Sequence, residues 1–296
     1  MPEGHSIHRL ARYFSEVFTD QPLRITSPQG RFSAGAARLD GRRATRAEAY
    51  GKHFFLVFDH ELILNVHLGM YGAWTFGGDE HVATVSSIGA PRKIGEREQH
   101  SLQLSTNPVD PPEPKPTTRV RIVSDHGWAD LIGASVVRVL TVDEAGDVVA
   151  SIGPDPLRRD ADPQRFIDRA LATRRPIGEV LMDQKIIGGI GNIYRAEGLF
   201  RTGINPHTPS RQLGAEQLHQ LWEDEVRLMR RGVATGKIIT TRAEDRPGIA
   251  LNDAWPEHAY YVYQRQNEPC RVCGTQNIVV ESMHQRKLYW CTRCQG

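Results

Sequence analysis

No stretch of this chain approaches 18 consecutive apolar residues, so no transmembrane helix is expected. The opening MPEGHSIHRL lacks the apolar segment that marks a secretory signal, and none is expected. Charge of one sign is missing too. The 37 Lys and Arg stand against 35 Asp and Glu, and a net +2 does not by itself announce a polyanionic partner. Cysteine is absent from residues 1–269, which excludes a disulfide framework for most of the chain. The signature of a disordered chain is also lacking, with 39% of residues hydrophobic and 24% charged. What remains is 296 residues, long enough for two or three packed domains.

The four cysteines fall in the last 27 residues as C-x2-C-x17-C-x2-C: Cys270, Cys273, Cys291 and Cys294. Two CxxC knuckles separated by roughly 15–20 residues fit one tetrahedral zinc ion. The alternative, two disulfides in a secreted tail, has neither a signal segment nor any other cysteine in its favour. Four protein ligands close the coordination shell, so the expected Zn2+ is structural. Strand-like runs at Asn277–Val280 and Leu288–Trp290 predict a two-hairpin zinc ribbon. Residues 265–296 hold five cations (Arg265, Arg271, Arg286, Lys287, Arg293) against Glu268 and Glu281, an excess of +3. Such a basic ribbon either meets phosphate or is simply a solvated surface.

Upstream, Ile7, Leu10, Ala11, Phe14, Val17 and Phe18 recur at helical spacing and predict an amphipathic helix over 5–18. A β-rich region follows. Phe54–Phe58 and Leu62–Leu68 flank Asp59-His60-Glu61 as a hairpin, and Val120 with Ile122, Trp128–Ile132 and Val136–Leu140 read as further strands. Between them, residues 77–118 are polar and carry Pro108, Pro111, Pro112, Pro114 and Pro116, the composition of a long mobile insertion. Residues 155–163 read as a linker. Helices are then expected at Gln164–Thr173, Pro176–Gln184, Ile193–Phe200 and Gly214–Arg231. The expected organisation is α+β: an N-terminal helix with a two-layer β-sandwich (1–154), a helical domain (155–263) and the ribbon (264–296).

Between two of these helices lies Lys185-Ile186-Ile187-Gly188-Gly189-Ile190-Gly191-Asn192. Glycines let a backbone approach a partner closely, and the next helix begins near Asn192 with free N–H groups suited to phosphate. By itself the segment reads equally well as an ordinary tight helix–turn–helix.

Taken in order, MPEGH, Gly51-Lys52, HLGM at 67–70, QKIIGGIGNIYRAEGLF at 184–200 and the four-cysteine ribbon resemble the formamidopyrimidine-DNA glycosylase/endonuclease VIII family. The resemblance runs from residue 2 to 295, outside the 77–118 insertion. Pro2-Glu3-Gly4 is more similar to the endonuclease VIII branch than to the 8-oxoguanine branch, which typically reads MPELPE. The helical domain is then a helix–two-turn–helix. The implied activity is that of a bifunctional DNA glycosylase/AP lyase of base excision repair, with damaged DNA as partner, no membrane, a monomeric state and a cytoplasmic, nucleoid-associated location.

The resemblance also assigns roles. Once Met1 is removed, Pro2 exposes a secondary amine able to attack C1′ and form a Schiff base. Glu3 is the implied acid/base, although an acidic residue here also suits the N-terminus of a helix. Lys52 matches the lysine that contacts the lesion's phosphate, and Arg286 the finger-tip arginine that does the same and assists δ-elimination. Lys185 and Asn192 match residues gripping the same backbone, around a nucleotide flipped out of the stack. Met70 and Tyr71 occupy the place of the wedge that fills the gap, Met70 being equally readable as a core residue. Residues 125–130 lack the Arg-x-Phe stretch of the 8-oxoguanine branch, and Trp128 reads as a packing residue. Oxidised pyrimidines are the implied substrates. A non-catalytic damaged-DNA-binding protein on the same scaffold is the competing reading, and a zinc-ribbon RNA-binding or transcription module leaves the N-terminal residues unexplained.

Overall fold

The computed structural model describes residues 2–79, 87–90 and 111–296, which form two compact units, 1–150 and 151–296. In the first unit, helix α1 (Gly4–Val17) comes first, followed by β1 (Arg24–Thr26) and α2 (Ser33–Leu39). Strands β2 (Ala44–Tyr50), β3 (His53–Phe58), β4 (Ile63–His67), β5 (Ala73–Gly78) and β6 (Ser87–Gly89) come next. The unit ends with β7 (Thr118–Val123), β8 (Gly127–Ile132), β9 (Val136–Leu140) and α3 (Val142–Ala150). The strands make a five-stranded sheet, β1-β7-β8-β5-β6, and a four-stranded sheet, β2-β3-β4-β9.

The apolar stripe of α1 is what joins the two layers. Ile7, Leu10, Phe14 and Val17 bury in one cluster with Phe54 and Leu64 of the four-stranded sheet and Trp74, Val120 and Leu131 of the five-stranded one. The Phe14 ring lies 4.8 Å from Phe54 and 5.1 Å from Trp74. Each such buried side chain contributes about 1.5–3 kcal/mol. The outer face of the four-stranded sheet is covered at one end by α3, where Phe55, Val57, Ile63 and Leu140 meet Ala145.

Strand β2 carries Ala, Arg and Glu, which favour helix in isolation, so sequence periodicity gives it no strand signal. Pairing with β3 decides its state. The insertion needs a correction. Ser87–Gly89 form β6 on β5, and Ile88 is buried in the central cluster, so part of 77–118 belongs to the sheet. A three-residue strand has no alternation to read. The expected mobility of the rest falls on 80–86 and 91–110, outside the described residues.

The second unit contains α4 (Pro163–Leu171), α5 (Ile177–Val180), α6 (Asn192–Arg201), α7 (Ala215–Thr235), β10 (Ile278–Met283) and β11 (Arg286–Cys291). Asp162 caps α4 by accepting from the Gln164 amide at 2.9 Å. Helix α5 is one turn rather than the nine residues expected from 176–184. Beyond Val180 the amides of Met182 and Asp183 bond back three residues, as in a tight turn. The anticipated linker is anchored at its start, where Asp155 and Pro156 are buried and the Asp155 carboxylate takes the Leu157 amide at 2.9 Å. The ribbon holds one hairpin, not two. Its first knuckle is a turn in which the Gly274 amide bonds the Cys270 carbonyl. The hairpin is not set apart from the helices, because Ile278, Tyr289 and Cys291 share a buried cluster with Ala196 and Phe200 of α6.

Two glycines separate space from conformation. A Cβ on Gly153 would lie 2.4 Å from the Ile186 backbone, whereas one on Gly146, inside α3, would meet nothing within 4 Å. Gly153→Ala is expected to lower unfolding free energy by about 1–3 kcal/mol. Gly146→Ala should raise it by about 0.4–1 kcal/mol through lost unfolded-state entropy. Urea midpoints of the two variants check both signs.

Candidate functional site

The first turn of α1 buries an unusual run of polar groups. Pro2 is buried, and Glu3, His5 and Ser6 are 1%, 4% and 3% exposed. Glu3 is the N-cap residue, and its carbonyl accepts the Ser6 amide at 3.0 Å, yet its side chain makes no capping hydrogen bond. Helix capping therefore does not account for the carboxylate. His5 has its pKa pushed down to about 3, first by burial and then by Arg9, His8 and the N-terminal amine. It is a neutral imidazole.

Gly51 and Lys52 form the two-residue turn between β2 and β3. Gly51 has φ 57°, the positive value a type II′ hairpin needs at its first position. This turn presents Lys52, half-buried, beside His67. His67 has its pKa lowered by burial first and by Lys52 second. The Gly69 amide donates to His67 Nδ1 at 3.2 Å, which makes Nδ1 an acceptor and leaves Nε2 carrying the proton of the neutral ring. Gly69 must be glycine, because φ is 67° and a Cβ would lie 2.8 Å from Ser135 Oγ. Beyond it Met70 and Tyr71 are 44% and 76% exposed, while Leu68 takes the core position, so the core reading of Met70 fails. His67 is the residue that sequence reasoning missed; HLGM contains it, but only the β3–β4 pairing puts it next to Lys52.

Trp128 packs as expected. Its ring lies across Gly77 of the neighbouring strand, 2.6 Å from where a Cβ would sit, with the Arg121 guanidinium 5.9 Å from its centroid.

In the second unit, Gln184 ties down the glycine loop. Its Nε2 donates to the Ile190 carbonyl at 3.0 Å, and its Oε1 accepts the Gly189 amide at 3.0 Å. Lys185 is left exposed on that loop. Asn192, the first residue of α6, donates from Nδ2 to the Lys287 carbonyl at 2.9 Å, and Arg195 donates to the same carbonyl at 2.9 Å. The α6 N-terminus is thereby joined to the tip of the β10–β11 hairpin. That tip is His284-Gln285, with φ 49° and 60°, so Arg286 stands at the first position after a two-residue turn. Within this unit the structure brings Asn192 and Arg286 to one place.

The cysteine sulfurs pass a geometric test. All four lie within 4.8 Å of one another, with Sγ–Sγ distances of 3.8 Å for Cys270–Cys294 and 3.7 Å for Cys273–Cys291. A tetrahedron with Zn–S bonds of about 2.3 Å has edges of about 3.8 Å. Cys270, Cys273, Cys291 and Cys294 hold one structural zinc ion.

Three family models match in sequence order. Residues 1–131 match the N-terminal domain of formamidopyrimidine-DNA glycosylase, 152–244 its H2TH domain, and 267–296 the zinc finger found in FPG and IleRS. Endonuclease 8 1 of Mycobacterium tuberculosis is 40% identical over 298 aligned positions, covering all of both chains. This chain belongs to the formamidopyrimidine-DNA glycosylase/endonuclease VIII family. Members of this family are DNA glycosylases with AP lyase activity, acting in base excision repair. Endonuclease 8 of Pectobacterium atrosepticum is 26% identical over the full length of both. The fold is that of Lactococcus lactis formamidopyrimidine-DNA glycosylase bound to abasic-site DNA, with TM-score 0.72, 18% identity and 99% of each chain covered. It is also that of the MutM protein of Thermus thermophilus, with TM-score 0.71, 20% identity and 99% and 98% covered.

Because the ribbon shares its buried cluster with α6, metal loss should spread beyond the tip. Cys291→Ser is expected to drop zinc from one per chain to none by elemental analysis. It should also raise hydrogen exchange at Ala196 and Phe200. Unchanged protection of α6 would show the ribbon folding independently.

Proposed function

We propose that this chain excises oxidised pyrimidines from DNA through a Schiff base on Pro2 and then nicks the abasic site by β,δ-elimination. The observation that carries the reading is the buried side chain of Glu3, the residue after Pro2, which makes no capping hydrogen bond to α1. A free α-amine titrates at about 7.7–8.0, against about 10.4 for lysine, so a useful fraction is an unprotonated nucleophile near neutral pH. Its lone pair attacks C1′ while Glu3 supplies a proton to the sugar ring or departing base. Once the base has left, the C1′–O4′ bond opens, its electrons passing to the protonated ring oxygen, and the cationic iminium formed with the Pro2 nitrogen acidifies the C2′ proton. Loss of that proton expels the 3′ phosphate, and a second elimination expels the 5′ phosphate.

Lys52 and Arg286 neutralise phosphates beside the flipped nucleotide. An arginine suits this because its planar fork meets two phosphate oxygens at once. Neutral His67, with Nε2–H as donor beside Lys52, adds a hydrogen bond that no titration near pH 7 removes. Lys185 and the α6 N-terminus at Asn192 serve the same strand. Met70 and Tyr71, exposed side by side, supply the wedge. Oxidised pyrimidines are favoured over 8-oxoguanine by the similarity to proteins named endonuclease 8 and by the missing Arg-x-Phe stretch. Excision from a panel of defined lesions, in single and double strands, tests that choice.

Borohydride should trap the protein on abasic-site DNA, with the adduct mapping to Pro2. Glu3→Gln should lose base excision about 10²–10⁴-fold while keeping most cleavage of a preformed abasic site. An adduct on lysine would overturn the nucleophile, and binding without any adduct would leave the non-catalytic reading.

Arg286→Ala should keep its zinc, since Arg286 is no ligand. It should lower the log–log salt slope of DNA binding by about 0.9 and shift products from δ- toward β-elimination ends. Salt titration beside a denaturing gel reads both.

A further inference from the structure

We infer that Arg138 on β9 is a further phosphate contact of the DNA-binding face, held in a fixed orientation by the fully buried Asn65 of β4. This rests on the reading above that Lys52 meets DNA phosphate.

Asn65 is 0% exposed, and its carboxamide is oriented by its partners. Nδ2 donates to the Phe54 carbonyl at 3.1 Å, so Oδ1 must be the acceptor, and it takes Arg138 Nε at 3.1 Å. Asn65 and Arg138 are directly paired across β4 and β9. Arg138 itself is exposed, and no carboxylate pairs with it among the described residues. Its Nε is therefore anchored, and its two terminal nitrogens make no hydrogen bond among the described residues. An anchored arginine loses less rotamer freedom on gripping an anion than a free one.

The arrangement is a poor way to stabilise a sheet. Replacing a buried amide and its guanidinium partner by an apolar pair of the same shape is often neutral or stabilising. The rest of this sheet face does use apolar residues, where Phe55, Val57, Ile63 and Leu140 pack under α3. At the end beside the Lys52 turn this inner row of the face is polar instead, with His53, His67 and Asn65 paired or adjacent across β3 and β4.

That end forms a row. His53 and His67 are directly paired across β3 and β4, with ring centroids 4.8 Å apart, and His53 Nδ1 lies 3.5 Å from Asn65 Nδ2. His67 pairs with Val136, so Arg138 sits diagonally from it, about 7–8 Å away, a step comparable to that between neighbouring phosphates of one strand. Burial keeps both rings neutral, with His53 pushed down to about 4, so they separate Lys52 and Arg138 without adding charge. The row is cation, N–H donor, cation along one face.

The test uses the full-length zinc-loaded protein and a duplex carrying a tetrahydrofuran abasic analogue, which binds without being cleaved. Arg138→Ala should lower the log–log salt slope by about 0.9, so that the affinity lost between 50 and 200 mM salt shrinks about 3.5-fold. Arg138→Lys keeps the charge but cannot use the Asn65 anchor. It should restore the slope yet bind more weakly than the parent protein. Arg12→Ala, an exposed α1 arginine paired with Glu16 at 3.0 Å, should leave slope and affinity unchanged. Slope and affinity unchanged in Arg138→Ala, with Lys52→Ala and Arg286→Ala both impaired, would overturn this inference alone. No effect from any of the three would remove the phosphate-binding reading itself. Full affinity in Arg138→Lys would overturn the role of Asn65.

Discussion

One buried carboxylate fastens the zinc ribbon to the helices. Glu197 on α6 is 0% exposed and takes the backbone amides of Tyr261, Val262 and Tyr263, each at 2.8 Å, together with the Thr240 hydroxyl. Hydrogen bonds to a charged group contribute on the order of 1.5–3 kcal/mol each. Four of them offset the desolvation of the carboxylate and pin the strand of chain that enters the first cysteine knuckle. The Phe200 ring stacks on Tyr261, with centroids 4.8 Å apart, and closes the same joint. The hairpin tip is consequently held at the α6 N-terminus, where Asn192 and Arg195 share the Lys287 carbonyl. Without that latch a basic ribbon would carry its arginine anywhere within reach of its tether.

The N-terminal unit solves a different problem. Its candidate site residues sit on a helix start, on the β2–β3 hairpin turn and on the loop that leaves β4 for the other sheet, and each needs a rigid base. Burying α1 between two sheets fixes the first, and the β2-β3-β4 pairing fixes the others. Glycines at 51 and 69 supply the positive φ values that let both turns close tightly enough to aim Lys52 and Met70. The cost is a patch of neutral imidazole and amide inside a sheet face, retained where apolar packing was available.

Much of this was legible in the residues. The α1 stripe, the β3–β4 hairpin, strands β7 to β9 and helices α6 and α7 follow from hydrophobic periodicity, because each has one buried face long enough to leave a pattern. The cysteine site follows from ligand spacing, because metal geometry allows few alternatives. Strands β1, β2, β5 and β6 and helices α2 and α3 were not legible. They are short, or built from residues whose local preference differs from their state, and their burial comes from partners distant in sequence. The single-turn α5 was overread for the same reason: helical spacing continued past the point where the backbone tightened.

The sequence by itself determined which groups are available: a Pro2-Glu3 pair, a glycine-rich helix start, and four cysteines at zinc spacing. Those are covalent neighbours or near neighbours, so their proximity needs no fold. Tertiary structure alone decided that Glu3 is buried without capping its helix, that His67 stands beside Lys52 with its proton on Nε2, and that Asn192 touches the ribbon tip 95 residues away. It also decided that an ordinary-looking arginine at 138 is tethered to a buried amide. These relations depend on register and burial across strands and helices, which a linear pattern of residue types does not encode.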